Sequence, residues 1–238
     1  MTMTDGVTTT QEFYTRYAAV YDLIARWTPG VHGLRRAVAD ALALTPGDTI
    51  VEMGCGTGAN FAYLRDRVGS EGTVVGVDFT PGVLAVARDR IRKKEWENVH
   101  VVRGDATRPP VAAADAVVAT FVSGMLSDPA AAVRTWAELV GSGGRLALAD
   151  LGRTTRTPLR PLNWVFRALV RASSPPGTGD QLQVPPTVLL DQRLVAAHRE
   201  LEAVCEDVRR ETRALGFARV SGGRVQRKTD EDNRQSFY

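Results

Sequence analysis

Cysteine is scarce in this sequence, which contains only Cys55 and Cys205 among its 238 residues. Two thiols are too few for the disulfide framework of a small secreted domain, so we expect a reducing, cytoplasmic environment. No cluster of cysteine and histidine residues has the spacing of a metal site, and we therefore predict no bound metal.

Long hydrophobic runs are missing as well. The longest apolar tract, residues 111–126, is rich in alanine and is interrupted by Asp115. A membrane-spanning helix needs about 20 predominantly apolar residues, so this tract is too short to cross a bilayer. Residues 1–13 contain neither a basic start nor an apolar stretch, and we expect no signal peptide.

Neither sign of charge dominates the chain. Thirty Lys and Arg residues against 27 Asp and Glu residues give a formal net charge of +3. A nucleic-acid-binding domain concentrates its basic residues on one face or element, so this balance predicts no nucleic-acid partner.

Short apolar stretches rich in valine and alanine alternate with helical patterns through the middle of the chain. The stretches lie at 49–53, 73–77, 99–102, 116–122 and 145–149, and the helical patterns at 59–68, 82–94 and 129–140. Such alternation, with strands that are apolar almost throughout, predicts a mostly parallel α/β sheet covered by helices on both faces.

The segments outside this alternation suggest five regions. We predict an N-terminal helical cap at 1–45, a core at 46–152, a basic amphipathic insertion or lid at 153–190, a C-terminal helix and strand at 191–226, and a tail at 227–238. Within them we expect helices at 11–27 and 31–44, a long charged helix from about 190 to 214, a strand at 216–220, and a short edge strand at 234–238.

A glycine-rich loop follows the first apolar stretch. Gly54, Gly56 and Gly58 leave the backbone bare, which lets another group approach it closely. A phosphate-binding P-loop would end in Gly-Lys-Ser/Thr, and no such ending follows. A dinucleotide fingerprint fits formally, because Ala59 completes G-x-G-x-x-A and Asp78 lies near the distance expected of a ribose-binding acid.

With Glu52 included, the loop reads E-x-G-x-G-x-G and resembles motif I of the class I S-adenosylmethionine-dependent methyltransferases. The resemblance continues in the expected order through residues 74–79, 104–107, 115–122 and 139–150, although Ser142 stands where that family usually has proline. It implies a Rossmann-like sheet of seven strands, with the last one or two antiparallel, and S-adenosylmethionine as the cofactor. An NAD-dependent oxidoreductase would not be expected to carry the later elements.

The resemblance also implies which residues bind the cofactor: Glu52, Gly54, Cys55, Gly56, Gly58, Asp78, Phe79, Asp105, Ala106, Thr120 and Phe121. Asp78 would accept the ribose hydroxyls, or else cap the following helix. Asp105 would meet the adenine amino group, or else serve a turn. Glu52 would orient the loop or meet the ligand's ammonium group, and Cys55 is interpreted as a small filler rather than a nucleophile.

The acceptor pocket is expected outside the common core. The N-terminal segment resembles two groups of this superfamily, the ubiquinone and menaquinone C-methyltransferases and the bacterial phospholipid head-group N-methyltransferases. Residues 121–129 are more similar to the second group. This implies methyl transfer to a small, lipophilic or membrane-associated acceptor. The alternatives are a methyltransferase for a soluble small molecule, an NAD-dependent oxidoreductase and a non-catalytic cofactor-binding module.

Tyr21 and His32 are the candidate catalytic residues, because both lie in the segment expected at the mouth of the site. His198, on a charged helix, is expected to be solvated. The basic amphipathic stretch has five arginines and no acidic residue over 151–179, so it could contact an anionic membrane at the inner face. It could equally be a lid whose arginines are merely solvated.

Overall fold

A computed structural model of the chain describes residues 31–172 and 186–226. The expected helix at 11–27, the candidate residue Tyr21, and the tail with its expected edge strand lie outside the described residues. The division into five regions stays a prediction.

In the described part of the chain, seven strands form one sheet in the order β3-β2-β1-β4-β5-β7-β6. Their bounds are β1 Thr49–Met53, β2 Thr73–Asp78, β3 Val99–Arg103, β4 Ala116–Thr120, β5 Arg145–Leu151, β6 Cys205–Arg213 and β7 Ala218–Val225. The four pairings among the first five strands, β1–β2, β1–β4, β2–β3 and β4–β5, are parallel. Strand β7 is antiparallel to both β5 and β6. The predicted seven-stranded, mostly parallel sheet is confirmed.

Helices cover both faces of this sheet. They are α1 Val31–Ala41, α2 Phe61–Val68, α3 Pro81–Lys93, α4 Pro129–Val140, α5 Asn163–Ala172 and α6 Pro186–Val204, with 3-10 turns at Ser123–Met125, Thr157–Leu162 and Ala214–Gly216. Buried side chains of α1, α2 and α3 pack on one face, against Ala147 and Ala149 of β5 among others. Those of α4 and α6 pack on the other, against Leu146 and Leu148. Successive residues of a strand point to opposite faces, so β5 contributes to both cores.

The end of the chain differs from the expected long helix at 190–214. Helix α6 ends at Val204, and the next nine residues form β6, an edge strand whose side chains are mostly exposed. Glu and Arg favour helices when only the local sequence is considered. Pairing with β7 overrides that preference, and charged side chains suit an exposed edge. Within the described residues, the strand at this edge of the sheet is therefore β6, which precedes β7 in the chain.

The strand expected at 216–220 exists as β7 and begins at Ala218. Among the helices of the described ranges, none combines the length and the apolar character needed to cross a membrane.

Candidate functional site

The glycine loop joins β1 to α2 at the carboxyl edge of the sheet. Gly54, Gly56 and Gly58 have φ values of 63°, 53° and 70°, in the left-handed region that favours glycine. A Cβ on Gly58 would lie within 2.5 Å of the Phe61 ring. A Cβ on Gly56 would meet no described atom within 4 Å. At Gly58 the loop packs against the Phe61 ring, whereas at Gly56 it is open and a ligand can approach the main chain.

Asp78 ends β2, the strand beside this loop. Its Oδ2 accepts a hydrogen bond from the Gly56 amide at 3.0 Å, and its Oδ1 accepts one from the Thr80 amide at 2.9 Å. Burial raises the pKa of this carboxyl, and the two amides oppose the rise. Asp78 thus ties the glycine loop to the start of α3. Each carboxylate oxygen has a second acceptor position, so ribose binding stays compatible with this arrangement.

Glu52 lies beneath the loop with only 2% of its surface exposed. Its Oε1 accepts a hydrogen bond of 2.5 Å from Asn60 Nδ2, whereas its buried Oε2 has no hydrogen-bond partner among the described residues. Burial raises the pKa of Glu52 to about 7, against the opposing effects of the Asn60 hydrogen bond and the Arg35 charge. One carboxylate oxygen therefore orients the loop, and the other is available to a cationic group.

Two residues that sequence reasoning missed complete this cluster. Arg35 Nη1 donates to Asn60 Oδ1 at 2.6 Å, and Asn60 Nδ2 also donates to Thr120 Oγ1 at 3.0 Å. The position of Asn60, directly after the loop and before α2, was a signal that could have identified it. Arg35 is 25 residues away from Asn60, and no local pattern links the two.

Asp105 and Ala106 follow β3. Asp105 Oδ1 accepts hydrogen bonds from the backbone amide and the hydroxyl of Thr107, at 2.8 and 2.9 Å, so this side chain does form a turn. The indole N–H of Trp136, which sequence reasoning also missed, donates to the Ala106 carbonyl at 2.7 Å. Helix α4 therefore anchors the loop, and the contact with adenine stays a prediction.

The end of β4 adjoins the glycine loop. Phe121 has a φ of 63°, which is an outlier for a bulky side chain, and its amide donates to the Ala149 carbonyl at 2.8 Å. The next residue, Val122, occupies the space that a Cβ on Gly54 would need. Thr120 and Phe121 are thus brought to the same edge as the loop and Asp78. Phe79 follows Asp78 there, and its carbonyl accepts from Arg103 Nε at 3.3 Å.

His32 and Cys55 lie in different surroundings. His32 is an exposed residue of α1, and its Nδ1 is 2.5 Å from the hydroxyl of Tyr63 in α2. Cys55 is buried, and burial raises the pKa of its thiol well above the ordinary value. A thiol that resists ionisation is a poor nucleophile, which supports the interpretation of Cys55 as a filler.

The expectation that His198 is solvated is wrong. It is 9% exposed, and its Nδ1 lies 2.8 Å from Ser221 Oγ while its Nε2 lies 3.4 Å from Asp150 Oδ2. The histidine faces the sheet because α6 packs there with Leu194, Ala197 and Leu201, whose buried stripe includes position 198.

No group of three or more metal-ligating side chains occurs in the part of the chain that the structure describes.

Comparison with known proteins agrees with this geometry. The family described as a methyltransferase domain matches residues 50–144, which include the glycine loop, Asp78, Asp105 and Phe121. The 2-phytyl-1,4-naphtoquinone methyltransferase of Thermosynechococcus vestitus is 32% identical over 157 residues, which cover 64% of this chain and 69% of that protein. This chain belongs to the class I S-adenosylmethionine-dependent methyltransferase superfamily.

Other methyltransferases are similar over less of their length. A ubiquinone/menaquinone biosynthesis C-methyltransferase of Vibrio parahaemolyticus is 30% identical to this chain. The match covers 69% of this chain and 64% of the length of that enzyme. An aklanonic acid methyltransferase of a Streptomyces species is 30% identical over 48% of this chain. The chain spans 53% of the length of that enzyme, and 30% of the length of an arsenite methyltransferase of Halobacterium salinarum.

Solved methyltransferase structures share the fold. A putative S-adenosylmethionine-dependent methyltransferase of Methanococcus maripaludis covers 91% of this chain and 94% of its own, with a TM-score of 0.59 and 17% identity. Fibrillarin of Aeropyrum pernix, solved with natively bound S-adenosylmethionine, covers 79% of this chain and 73% of its own, with a TM-score of 0.50 and 18% identity.

Membership of the superfamily implies S-adenosylmethionine as the cofactor, and the residues present fit it. The open main chain at Gly56 suits the amino-acid end of a ligand that has no phosphate. The buried Oε2 of Glu52, which has no hydrogen-bond partner among the described residues, suits the ammonium group of this ligand.

Proposed function

We propose that this protein transfers a methyl group from S-adenosylmethionine to a small, lipophilic or membrane-associated acceptor, either an isoprenoid quinone or a phospholipid head group. The observation that carries the methyltransferase part is the hydrogen bond between the Gly56 amide and the Asp78 carboxylate, 3.0 Å long. It joins a bare loop and an acid on adjacent parallel strands, at the edge where α/β sheets bind ligands.

When bound, the cofactor supplies a methyl group that its positively charged sulfur already activates. The chain's own residues then act mainly by holding the acceptor in line with the carbon–sulfur bond. An acceptor that is methylated on carbon or on a phenol oxygen also loses a proton, which a general base must take up, whereas a neutral amine scarcely needs one. In this proposal, Gly56 admits the amino-acid end, Asp78 accepts the ribose hydroxyls, and Glu52 faces the ammonium group. The turn at Asp105 borders the adenine.

The acceptor side of the site would lie beyond the ends of β4 and β5. A Cβ on Gly124 would overlap Leu190, so the start of α6 packs directly on the 3-10 turn Ser123–Met125. Met125 in that turn is 51% exposed, and Trp164 of α5 is 64% exposed. Large exposed apolar side chains on this side support a lipophilic acceptor.

The relatives give unequal support to the candidate acceptors. The quinone methyltransferases are similar over about two thirds of this chain, at 32% and 30% identity. The aklanonic acid methyltransferase matches over 48% at the same level of identity. An isoprenoid quinone is therefore the first candidate, and a soluble aromatic acid is the alternative.

A peripheral membrane contact is the second part of this proposal. Phe166 of α5 packs inward on Phe217, with ring centroids 5.8 Å apart. On the same segment, Trp164 and Leu162 stay exposed, and so do Arg160 and Arg167. Exposed apolar and basic residues on one short segment suit an anionic lipid surface, whereas a simple lid would bury its apolar side chains.

An acceptor screen tests the activity. Purified protein is incubated with isotopically labelled S-adenosylmethionine and one of three acceptors: a demethylated isoprenoid quinone kept in its reduced, quinol form in detergent, phosphatidylethanolamine vesicles, or an aromatic carboxylic acid. Mass spectrometry then locates the label, and we expect it in the quinone first. The protein could bind S-adenosylhomocysteine while label appears neither in any of the three acceptors nor in the lipids of a cell extract. That result would favour the non-catalytic module. Binding of NAD instead would favour the oxidoreductase.

Vesicle co-sedimentation tests the membrane contact. We expect more protein to sediment with vesicles containing an anionic lipid than with purely zwitterionic vesicles. Trp164→Ala should reduce the bound fraction, whereas Val195→Ala, which removes another exposed apolar side chain, on α6, should not. A sedimented fraction that changes neither with the lipid charge nor with the loss of Trp164 would contradict the membrane contact.

A further inference from the structure

A buried polar network links α1 to the cofactor loop. It runs from Arg35 through Asn60 to Glu52 and Thr120, with distances of 2.6 Å, 2.5 Å and 3.0 Å between the bonded atoms. These side chains come from four places in the fold: Arg35 from α1, Asn60 from the position just before α2, Glu52 from β1 and Thr120 from the end of β4. Each is at most 8% exposed, so water competes little for these hydrogen bonds.

The hydrogen bonds fix the orientation of the Asn60 amide. Its oxygen accepts from the Arg35 guanidinium, and its nitrogen donates to the two oxygens of Glu52 and Thr120. An amide rotated by half a turn would point its NH₂ group at a guanidinium that can only donate. Arg35 therefore stabilises the orientation in which the donors of Asn60 face Glu52 and Thr120.

The amide also separates two charges. Arg35 in direct contact with Glu52 would form an ion pair and occupy the carboxylate. With Asn60 between them, Glu52 keeps its Oε2 without a hydrogen-bond partner among the described residues. An acceptor oxygen buried in this way is costly unless a cationic or donor group satisfies it.

We propose that Asn60 is a positioning residue that holds Glu52 ready for the cofactor's ammonium group, and that Arg35 makes α1 a part of the cofactor site by orienting Asn60. This inference rests on the proposed function. Arg35 lies outside the 50–144 segment that matches the methyltransferase domain and outside the core predicted from the sequence.

The charges around Glu52 give the proposal a signature in pH. The Asn60 hydrogen bond and the Arg35 charge lower its pKa, as does the charge of Arg90 from α3, whereas burial and the nearby Asp78 raise it. The Cys55 thiol, whose own pKa is raised well above the ordinary value, stays neutral beside them. Loss of Arg35 or Asn60 should therefore raise the pKa of Glu52. A neutral Glu52 attracts an ammonium group less, so affinity should fall most at low pH.

Calorimetric titration with S-adenosylhomocysteine between pH 6 and pH 9 tests this. We expect Asn60→Ala and Arg35→Met to weaken binding at least tenfold at pH 6–7 and much less at pH 9. Arg35→Lys, which keeps the charge, should recover part of the affinity. The matched control is Arg65→Met, because Arg65 of α2 makes a similar hydrogen bond of 2.9 Å to Asn98 away from the loop. It should bind like the wild type at every pH.

A second variant covers the case in which Asn60→Ala or Arg35→Met does not fold. Asn60→Asp keeps the shape of the side chain but replaces the NH₂ donor with an acceptor, and it should shift the pH profile in the same direction. A wild-type protein that does not bind S-adenosylhomocysteine would overturn the proposed function and this inference with it. Wild-type binding together with folded variants that match it at every pH would overturn the inference alone.

Discussion

Glu52→Gln is the substitution that most directly tests the interior of the site. The amide has nearly the shape of the carboxyl group and can still accept the Asn60 hydrogen bond, but it does not ionise. Burial raises the pKa of Glu52 from 4.5 to about 7 in the folded protein. Each pKa unit is worth ~1.4 kcal/mol, so the ionisation of this one side chain changes the free energy of unfolding by about 3 kcal/mol.

The sign follows from which state binds the proton more tightly. The folded state holds the Glu52 proton up to about pH 7, whereas the unfolded chain releases it near pH 4.5. The stabilisation is therefore complete below pH 4.5 and is lost as the pH rises to about 7. The free energy of unfolding of the wild type should fall relative to Glu52→Gln across that window and run parallel to it above.

Urea denaturation of both proteins at half-unit steps from pH 4.5 to pH 8, without cofactor, measures this difference. Other titrating groups are common to the two proteins and largely cancel when one free energy is subtracted from the other. A difference that stays constant within about 0.5 kcal/mol over the whole range would refute the reasoning, because Glu52 would then ionise as it does in the unfolded chain.

Four further substitutions test the site and the packing that supports it. Asp78→Ala should weaken S-adenosylhomocysteine binding by ~1.5–3 kcal/mol in calorimetry, the range for a hydrogen bond to a charged group. An unchanged dissociation constant would show that the ribose does not bind Asp78. Gly76→Ala should lower the free energy of unfolding by ~1–3 kcal/mol, because its Cβ would lie 2.6 Å from the buried Phe61 ring. Gly33→Ala, in α1, should instead raise it by about 0.5–1 kcal/mol, because among the described residues only one side-chain atom lies within 4 Å of the added Cβ. Equal effects of the two substitutions would contradict the packing argument. Ser221→Ala should cost ~1–3 kcal/mol in urea denaturation by leaving the His198 ring nitrogen without its partner, and an unchanged midpoint would show that the hydrogen bond contributes nothing.

Much of the parallel core could be predicted from the sequence because its signals are local. The apolar stretches at 49–53 and 73–77 match β1 and β2 closely. Parallel strands have their carboxyl ends at one edge, so a glycine loop after β1 and an acid at the end of β2 must come close together. The hydrogen bond from the Gly56 amide to the Asp78 carboxylate shows that the two segments do meet.

Tertiary pairing decided the rest. Residues 205–213 read as helix because Glu and Arg favour helices, yet β7 offers them an edge to pair with, and the pairing prevails. His198 read as solvated because its helix is charged, yet α6 turns that position towards Asp150 and Ser221. Burial and pairing depend on which distant segment packs alongside, and periodicity within one segment carries no information about that.

The site divides in the same way. The sequence by itself determined where the backbone must be bare and which acid stands beside it, since glycine conformation and strand alternation act over a few residues. Only the folded chain brought Arg35 to Asn60 and left one oxygen of Glu52, beneath the loop, without a hydrogen-bond partner in the part of the chain that the structure describes. Those contacts join four separate elements, and their energy depends on exclusion of water from a space that exists only after the elements have packed.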